Sequence, residues 1–217
     1  MSVEFIPGAK RRRIVLWRHG RTEWNDSRRF QGQIDVALDD VGRKQAVQAA
    51  EQLALLKPQL IVSSDLSRAA ETAEILSEVS GVPIERTEAL RETNGGEWQG
   101  RFADDLASDP VYVQWLAGDD VQAGGAESRS QVGERALVAV NEALTRLEEG
   151  RVAVVVSHGG TIRALIGRLV GLPVDEWRVL GGLANCCWSV LEESRGRWRL
   201  TEHNAHSLPQ VVLGDDR

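Results

Sequence analysis

The sequence predicts an α/β fold with a mainly parallel sheet. Two observations carry that prediction. Short apolar runs alternate with amphipathic helical patterns along most of the chain, and the last two apolar runs flank a tight Arg195-Gly196 turn. The first run, Ile14-Val15-Leu16-Trp17, reads as a short buried strand. Asp39 is placed to cap the next helix, whose apolar side is Val41, Ala46, Ala49, Leu53 and Leu56; Lys57-Pro58 ends it. Leu60-Ile61-Val62-Ser63 is the second strand. Ala69, Ala73, Leu76 and Val79 line the following helix, closed by Gly81 and Pro83. A short strand is expected near Ile84 to Arg86. Residues 94–126 are rich in Gly, Asp and Ser, with Trp98, Tyr112 and Trp115 interspersed, and read as an irregular excursion with one or two short helices. A long helix is expected from Ser128 to Glu149, a strongly apolar strand from Val152 to Val156, and a helix from Thr161 to Val170. Cys186 to Leu191 and Trp198 to His203 form the closing hairpin, which adds an antiparallel edge. With no internal repeat and no low-complexity linker, one domain over residues 1–217 is expected.

Composition narrows the function. Hydrophobic residues make up 42% and charged residues 27%, an ordinary globular balance. A net charge of -6 argues against a nucleic-acid partner or a membrane surface. An anionic substrate must then be captured by a local cluster of Arg and His. No run approaches the length of a transmembrane helix. The basic tetrad Lys10-Arg11-Arg12-Arg13 precedes only four apolar residues before Arg18, too few for a signal peptide, and reads as a solvated strand flank. Cys186 and Cys187 are adjacent, poor geometry for a disulfide, and show no zinc spacing, so a reduced, cytoplasmic setting is expected. The one metal-like pattern, His203-x-x-His206 near Glu202, lacks further ligands; no metal and no cofactor are expected.

The chemistry gathers at strand ends, where open α/β sheets bind ligands. Two strands end in His-Gly: Arg18-His19-Gly20 and Ser157-His158-Gly159-Gly160. Each glycine is expected to let the backbone turn and a ligand approach. Arg68 follows a third strand. Two arginines and two histidines converging would make an oxyanion pocket, because a planar guanidinium binds phosphate through two parallel hydrogen bonds. Glu92, after the short strand, is placed to give and take a proton beside it.

The motifs Arg18-His19-Gly20-Arg21-Thr22-Glu23-Trp24-Asn25, Gln31-Gly32, Asp35, Ser63-Ser64-Asp65-Leu66-Ser67-Arg68-Ala69, Leu90-Arg91-Glu92, Gly96-Glu97-Trp98-Gln99-Gly100 and Ser157-His158-Gly159-Gly160 resemble, in order, those of the histidine phosphatase superfamily, the phosphoglycerate mutase-like clan. The resemblance implies a three-layer α/β/α sandwich. It also implies that His19 becomes phosphohistidine, that Arg18, Arg68 and His158 bind the phosphoryl oxygens with help from Asn25 and the backbone of Gly159, and that Glu92 protonates the leaving oxygen and then activates water. A neutral imidazole can attack without prior deprotonation, provided its other nitrogen is held as N–H. Arg18, Arg68 and a protonated His158 would neutralise the transferring group without magnesium.

The short chain, Gln31-Gly32 and Trp98-Gln99-Gly100 resemble the phosphatase branch more than the mutases, and a small phosphorylated metabolite is the expected partner. Leu90-Arg91-Glu92-Thr93, Leu180-Gly181-Gly182 with Asn185, and Trp198-Arg199-Leu200 before Asn204-Ala205 are similar to the glucosyl-3-phosphoglycerate phosphatases, although Trp188 and Trp198 read as core residues. A mutase and a catalytically silent phospho-ligand binder are the alternatives. Arg21, Gln31 and Gly32 are candidate substrate contacts, with Arg28 and Arg29 as further cations or as a solvated face. Ala126, where relatives often have glycine, marks a loop of different shape. Relatives are often homodimers, but no heptad or apolar patch is visible to predict one here.

Overall fold

The computed structural model describes residues 11–206. In chain order the elements are β1 (Arg13–Arg18), α1 (Glu23–Asp26), α2 (Asp40–Ala54), β2 (Leu60–Ser64), α3 (Ser67–Ser80), β3 (Ile84–Thr87), α4 (Ala103–Leu106), α5 (Pro110–Ala117), α6 (Arg129–Leu144), β4 (Val152–Ser157), α7 (Gly159–Val170), β5 (Trp188–Ser194) and β6 (Arg197–Ala205). The sheet order is β3-β2-β4-β1-β5-β6. The first four strands run parallel, and the terminal hairpin adds the antiparallel edge.

Side-chain alternation creates the layers. Ile14, Leu16, Ala153 and Val155 face α6 and α7, meeting Ala136, Val140, Ile162 and Leu165. Val15, Trp17, Val154 and Val156 face α2 and α3, meeting Ala46, Leu53, Ala69 and Leu76. Strand β4 is buried along its whole length, as its unbroken apolar run requires of a central parallel strand.

Several boundaries differ from expectation. Helix α6 ends at Leu144 because the chain tightens there: Thr145, Arg146 and Leu147 donate three residues back, and Leu147 turns into the core. Helix α7 starts two residues early, on glycines, because the Glu92 carboxylate accepts the N–H groups of Gly160 and Thr161. Strand β5 starts at Trp188 because Cys186 has φ 58°. Residues 94–126 do hold two short helices, organised by a small core of Trp98, Leu106, Tyr112 and Ala123, with Phe30 and Trp115 against it. Ala126 sits in a turn closed by Ala123 N–H donating to the Glu127 carbonyl.

Arg11 and Arg12 pair with Glu192 and Glu193 on β5, as a strand flank would; Lys10 and the polar tail at 214–217 lie outside the described residues. Trp188 is fully buried and Trp198 packs against the core. Among the described residues no helix is long and apolar enough to cross a membrane.

Candidate active site

Register decides where the histidines go. Trp17 opposes Val156 and Arg18 opposes Ser157, so His19 and His158 follow side by side, with ring centroids 5.1 Å apart. Strand β2 pairs with β4 through Ser63 and Val156, which brings Ser64 and the start of α3 to the same edge. This is the carboxyl end of three adjacent strands, on either side of which the connections leave for opposite faces.

His19 is 3% exposed. Its Nδ1–H donates to the Gly20 carbonyl at 2.7 Å, a tautomer assigned from the bonding, and this leaves Nε2 as the lone-pair nitrogen. Burial, then the charges of Arg68 and Arg18, hold the ring well below its ordinary value, so it is neutral at pH 7. Gly20 has a role other than the one expected. A Cβ there would lie 2.4 Å from the Gly42 carbonyl oxygen, so the glycine admits the first turn of α2 rather than a ligand.

Arg68 is 1% exposed. Nη1 donates to the Ile34 carbonyl at 3.0 Å, Nη2 to the Gly32 carbonyl at 2.8 Å, and Nε to Nδ1 of His158 at 3.2 Å. Burial lowers it to about 10, which leaves it charged at neutral pH. The loop carrying Gly32 and Ile34 is tied to α3 by Asp35, which accepts from the N–H and hydroxyl of Ser67. His158 must therefore donate from Nε2, which it does to Ser64 Oγ at 2.9 Å. The protonated His158 expected from the sequence is corrected: burial and the neighbouring Arg68 push its ring well below the ordinary value. It is fully buried with both nitrogens engaged and lies against His19 rather than on the cleft wall.

The cleft itself is walled by Arg18, His19, Asn25, Gln31, Gly32, Arg68 and Glu92, joined by Arg29, Phe30, Thr93 and Trp115. Arg18 donates to the Leu183 carbonyl, while its buried Nε has no hydrogen-bond partner. An unsatisfied buried guanidinium N–H beside a neutral imidazole is a fitting seat for an oxyanion. Asn25 has its Oδ1 fully used by Thr22 and by Asn185, which leaves the amide N–H groups to face other partners. Glu92 is clamped: Oε1 accepts from the N–H of Thr93 and Thr161, and Oε2 from Gly160. A Cβ on Gly160 would lie 2.5 Å from Oε1, so glycine is what lets the carboxylate approach. Gly159 opens α7 beside the Arg18 guanidinium, with room for a Cβ at 3.5 Å.

Arg21 is not at the cleft, a second correction. Its Nε pairs with Asp39 at 2.8 Å and its Nη1 with Asp26 at 2.9 Å, so it braces α1 against α2. Of the other two cations, Arg28 is exposed and Arg29 lines the cleft, stacked 4.3 Å over Phe102. His203 is spoken for by Ser189 and the Gly181 carbonyl, and among the described residues no cluster of three His, Cys, Asp or Glu suits a metal. Sequence reasoning missed Asn185 as a site residue: its Nδ2 donates to the His19 carbonyl at 3.1 Å, the Gly20 carbonyl at 3.3 Å and Asn25 at 3.2 Å. It lies 166 residues from His19, and its resemblance to relatives beside Leu180-Gly181-Gly182 carried no role at the site.

The model of the histidine phosphatase superfamily, branch 1, matches residues 14–206. The chain belongs to that superfamily. It is 44% identical over 213 residues to a glucosyl-3-phosphoglycerate phosphatase of Mycolicibacterium vanbaalenii, covering 89% of this chain and 95% of the relative. It is 33% identical over 188 residues to a probable phosphoglycerate mutase of Erwinia tasmaniensis, covering 85% and 86%. Among solved structures, the mycobacterial glucosyl-3-phosphoglycerate phosphatase complexed with VO3 superposes with a TM-score of 0.84 at 42% identity, over 89% of this chain and 99% of that one. The α/β fold and the phosphatase-branch resemblance read from the motifs are both upheld by these matches.

Proposed function

We propose that this histidine phosphatase superfamily enzyme hydrolyses phosphomonoesters of small metabolites through a phosphohistidine on His19, with glucosyl-3-phosphoglycerate or a related phosphoglycerate ester as substrate. The observation that carries the proposal is the Nδ1–H bond of His19 to Gly20, which turns a neutral Nε2 lone pair toward the cleft shared with Arg18, Arg68 and Glu92. In the first step Glu92 enters as the carboxylic acid: Nε2 bonds to phosphorus, the P–O ester bond breaks, and the Glu92 carboxyl proton goes to the departing oxygen. In the second, Glu92 takes a proton from water, whose oxygen bonds to phosphorus as the N–P bond breaks. Phosphate leaves and His19 is regenerated. Arg18 and Arg68 neutralise the equatorial oxygens, so the reaction requires no metal. His158 orients Arg68; a direct bond to the phosphoryl group requires it to exchange its Ser64 partner for substrate. The substrate class is drawn from the relative at 44% identity.

The test is a panel of phosphomonoesters assayed with and without EDTA. Turnover is expected to persist in EDTA, labelled phosphate to be trapped on the wild-type protein, and His19→Ala to lose at least about 1,000-fold in kcat. Full activity in His19→Ala, or a requirement for magnesium, refutes the mechanism. Isomerised phosphoglycerate on adding bisphosphoglycerate would favour the mutase.

A further inference from the structure

Arg12, Arg43, Arg86, Arg91, Arg135 and Arg146 each pair with a carboxylate. Arg129, Arg163 and Arg178, outside the lining of the cleft, form no ion pair among the described residues. Arg129, the first residue of α6, donates only to backbone carbonyls, those of Trp115 at 2.6 Å and Asp119 at 3.0 Å. Its guanidinium stacks 4.5 Å over Trp115, which lines the cleft. Arg178 donates to the Ala117 carbonyl at the end of α5. Arg163 makes no hydrogen bond among the described residues, and its buried Nε has no partner.

Helix geometry aims Arg163 at the site. It sits three residues after Gly160 and four after Gly159, on the same face of α7, and helical side chains lean toward the N-terminus. Its guanidinium is thereby carried over the turn where Glu92 is clamped, and Nη2 lies 3.5 Å from where a Cβ on Gly182 would be, next to the Leu183 carbonyl that holds Arg18. The Glu92 charge acts on Arg163 directly. The three guanidiniums also feel one another: burial first, then Arg163, lowers Arg129 to about 10, and Arg178 opposes both. Arg129 and Arg163 are partly buried like charges whose nearby carboxylates, Asp119 and Asp120 for Arg129 and Glu92 for Arg163, form no ion pair with them, an arrangement that an added anion stabilises.

We propose that Arg163, with Arg129 and Arg178, forms a second anion site at the rim of the cleft that takes the carboxylate of the phosphorylated substrate. The assignment rests on the phosphatase reading for the position of the phosphoryl group. It replaces Arg21, whose charge is spent on Asp26 and Asp39. A planar fork on α7 and a phosphoryl seat beside His19 would then hold the two ends of one phosphoglycerate unit, which fixes the ester oxygen before Glu92.

The experiment compares 3-phosphoglycerate with glycerol 3-phosphate, the same skeleton without the carboxylate. The ratio of kcat/KM for the two esters is measured in wild type, Arg163→Gln and Arg163→Lys, and the ratio of their dissociation constants in His19→Ala with and without Arg163→Gln. Wild type is expected to prefer the carboxylate ester by at least about tenfold in both ratios, one charge-assisted hydrogen-bonded contact's worth. Arg163→Gln is expected to abolish the preference and Arg163→Lys to restore part of it. No preference in wild type, or a preference indifferent to Arg163→Gln, overturns the proposal. If neither ester turns over but the binding preference persists and depends on Arg163, the anion site stands and 3-phosphoglycerate itself is excluded as the substrate.

Discussion

The Nε–H of Arg68 donates to Nδ1 of His158 at 3.2 Å, with both side chains buried. A guanidinium cannot share that bond with an imidazolium, because Nδ1 would then carry a proton of its own. The pair therefore holds one charge, on arginine, and His158 is kept neutral. His19, beside both, is kept neutral by its burial and then by the charges of Arg68 and Arg18.

Acid sensitivity follows. Both rings titrate well below 6.5 in the folded protein and near 6.5 unfolded, so between those values the unfolded chain binds more protons. Stability from this source is complete above pH 6.5 and is lost as pH falls below it, by roughly 1 kcal/mol per pH unit for each histidine, levelling once the folded values are passed. Thermal unfolding in phosphate-free buffer from pH 7.5 to 5 is expected to show the decline, with a shallower slope in His158→Gln. An identical slope in the two proteins would contradict the argument.

Asn185 ties the His19 and Gly20 carbonyls to Asn25 with one amide. Asn185→Ala is expected to lower kcat about tenfold or more while KM moves less, since the imidazole loses its aim before the phosphoryl seat loses its charges. A change confined to Tm would assign Asn185 to folding alone.

The two glycines that open α7 are expected to behave differently. Gly160→Ala places a methyl 2.5 Å from Glu92 Oε1, and kcat should fall at least about tenfold as the carboxylate is displaced. Gly159→Ala meets only ordinary contacts near Arg18 and should keep or raise stability, by up to about 1 kcal/mol of helix propensity, read as an unchanged or higher Tm. Equal kcat for Gly160→Ala and wild type would remove Glu92 from the chemistry.

Asp35 caps α3 from a neighbouring loop, because Leu66 at the N-cap has no side-chain acceptor. Asp35→Ala should cost about 1 kcal/mol, a few degrees in Tm for a chain this size, and should weaken phosphate affinity by loosening the loop that holds Arg68. Unchanged inhibition by inorganic phosphate would separate the cap from the site.

How much of this was legible varies from residue to residue. His19, Arg18, Arg68 and Glu92 could be found because each lies at or just beyond a recognisable element, Asn25 only through the family motif, and the five share one cleft. Arg21 sat in the same motif and was misread, since nothing in a sequence says that Asp26 and Asp39 reach it first. His158 was found, but as a cation.

The sequence by itself determined the alternation of strands and helices, the apolar β4 that must lie at the centre, and the strand-end motifs that name the superfamily. These are local, written in period, turn residues and spacing. Only the tertiary structure decided which charges survive. The protonation of His158, the partners of Arg21, the clamp on Glu92 and the unpaired arginines at 129, 163 and 178 depend on burial and on groups distant in sequence. Desolvation and hydrogen bonding act through space, so no reading along the chain contains them.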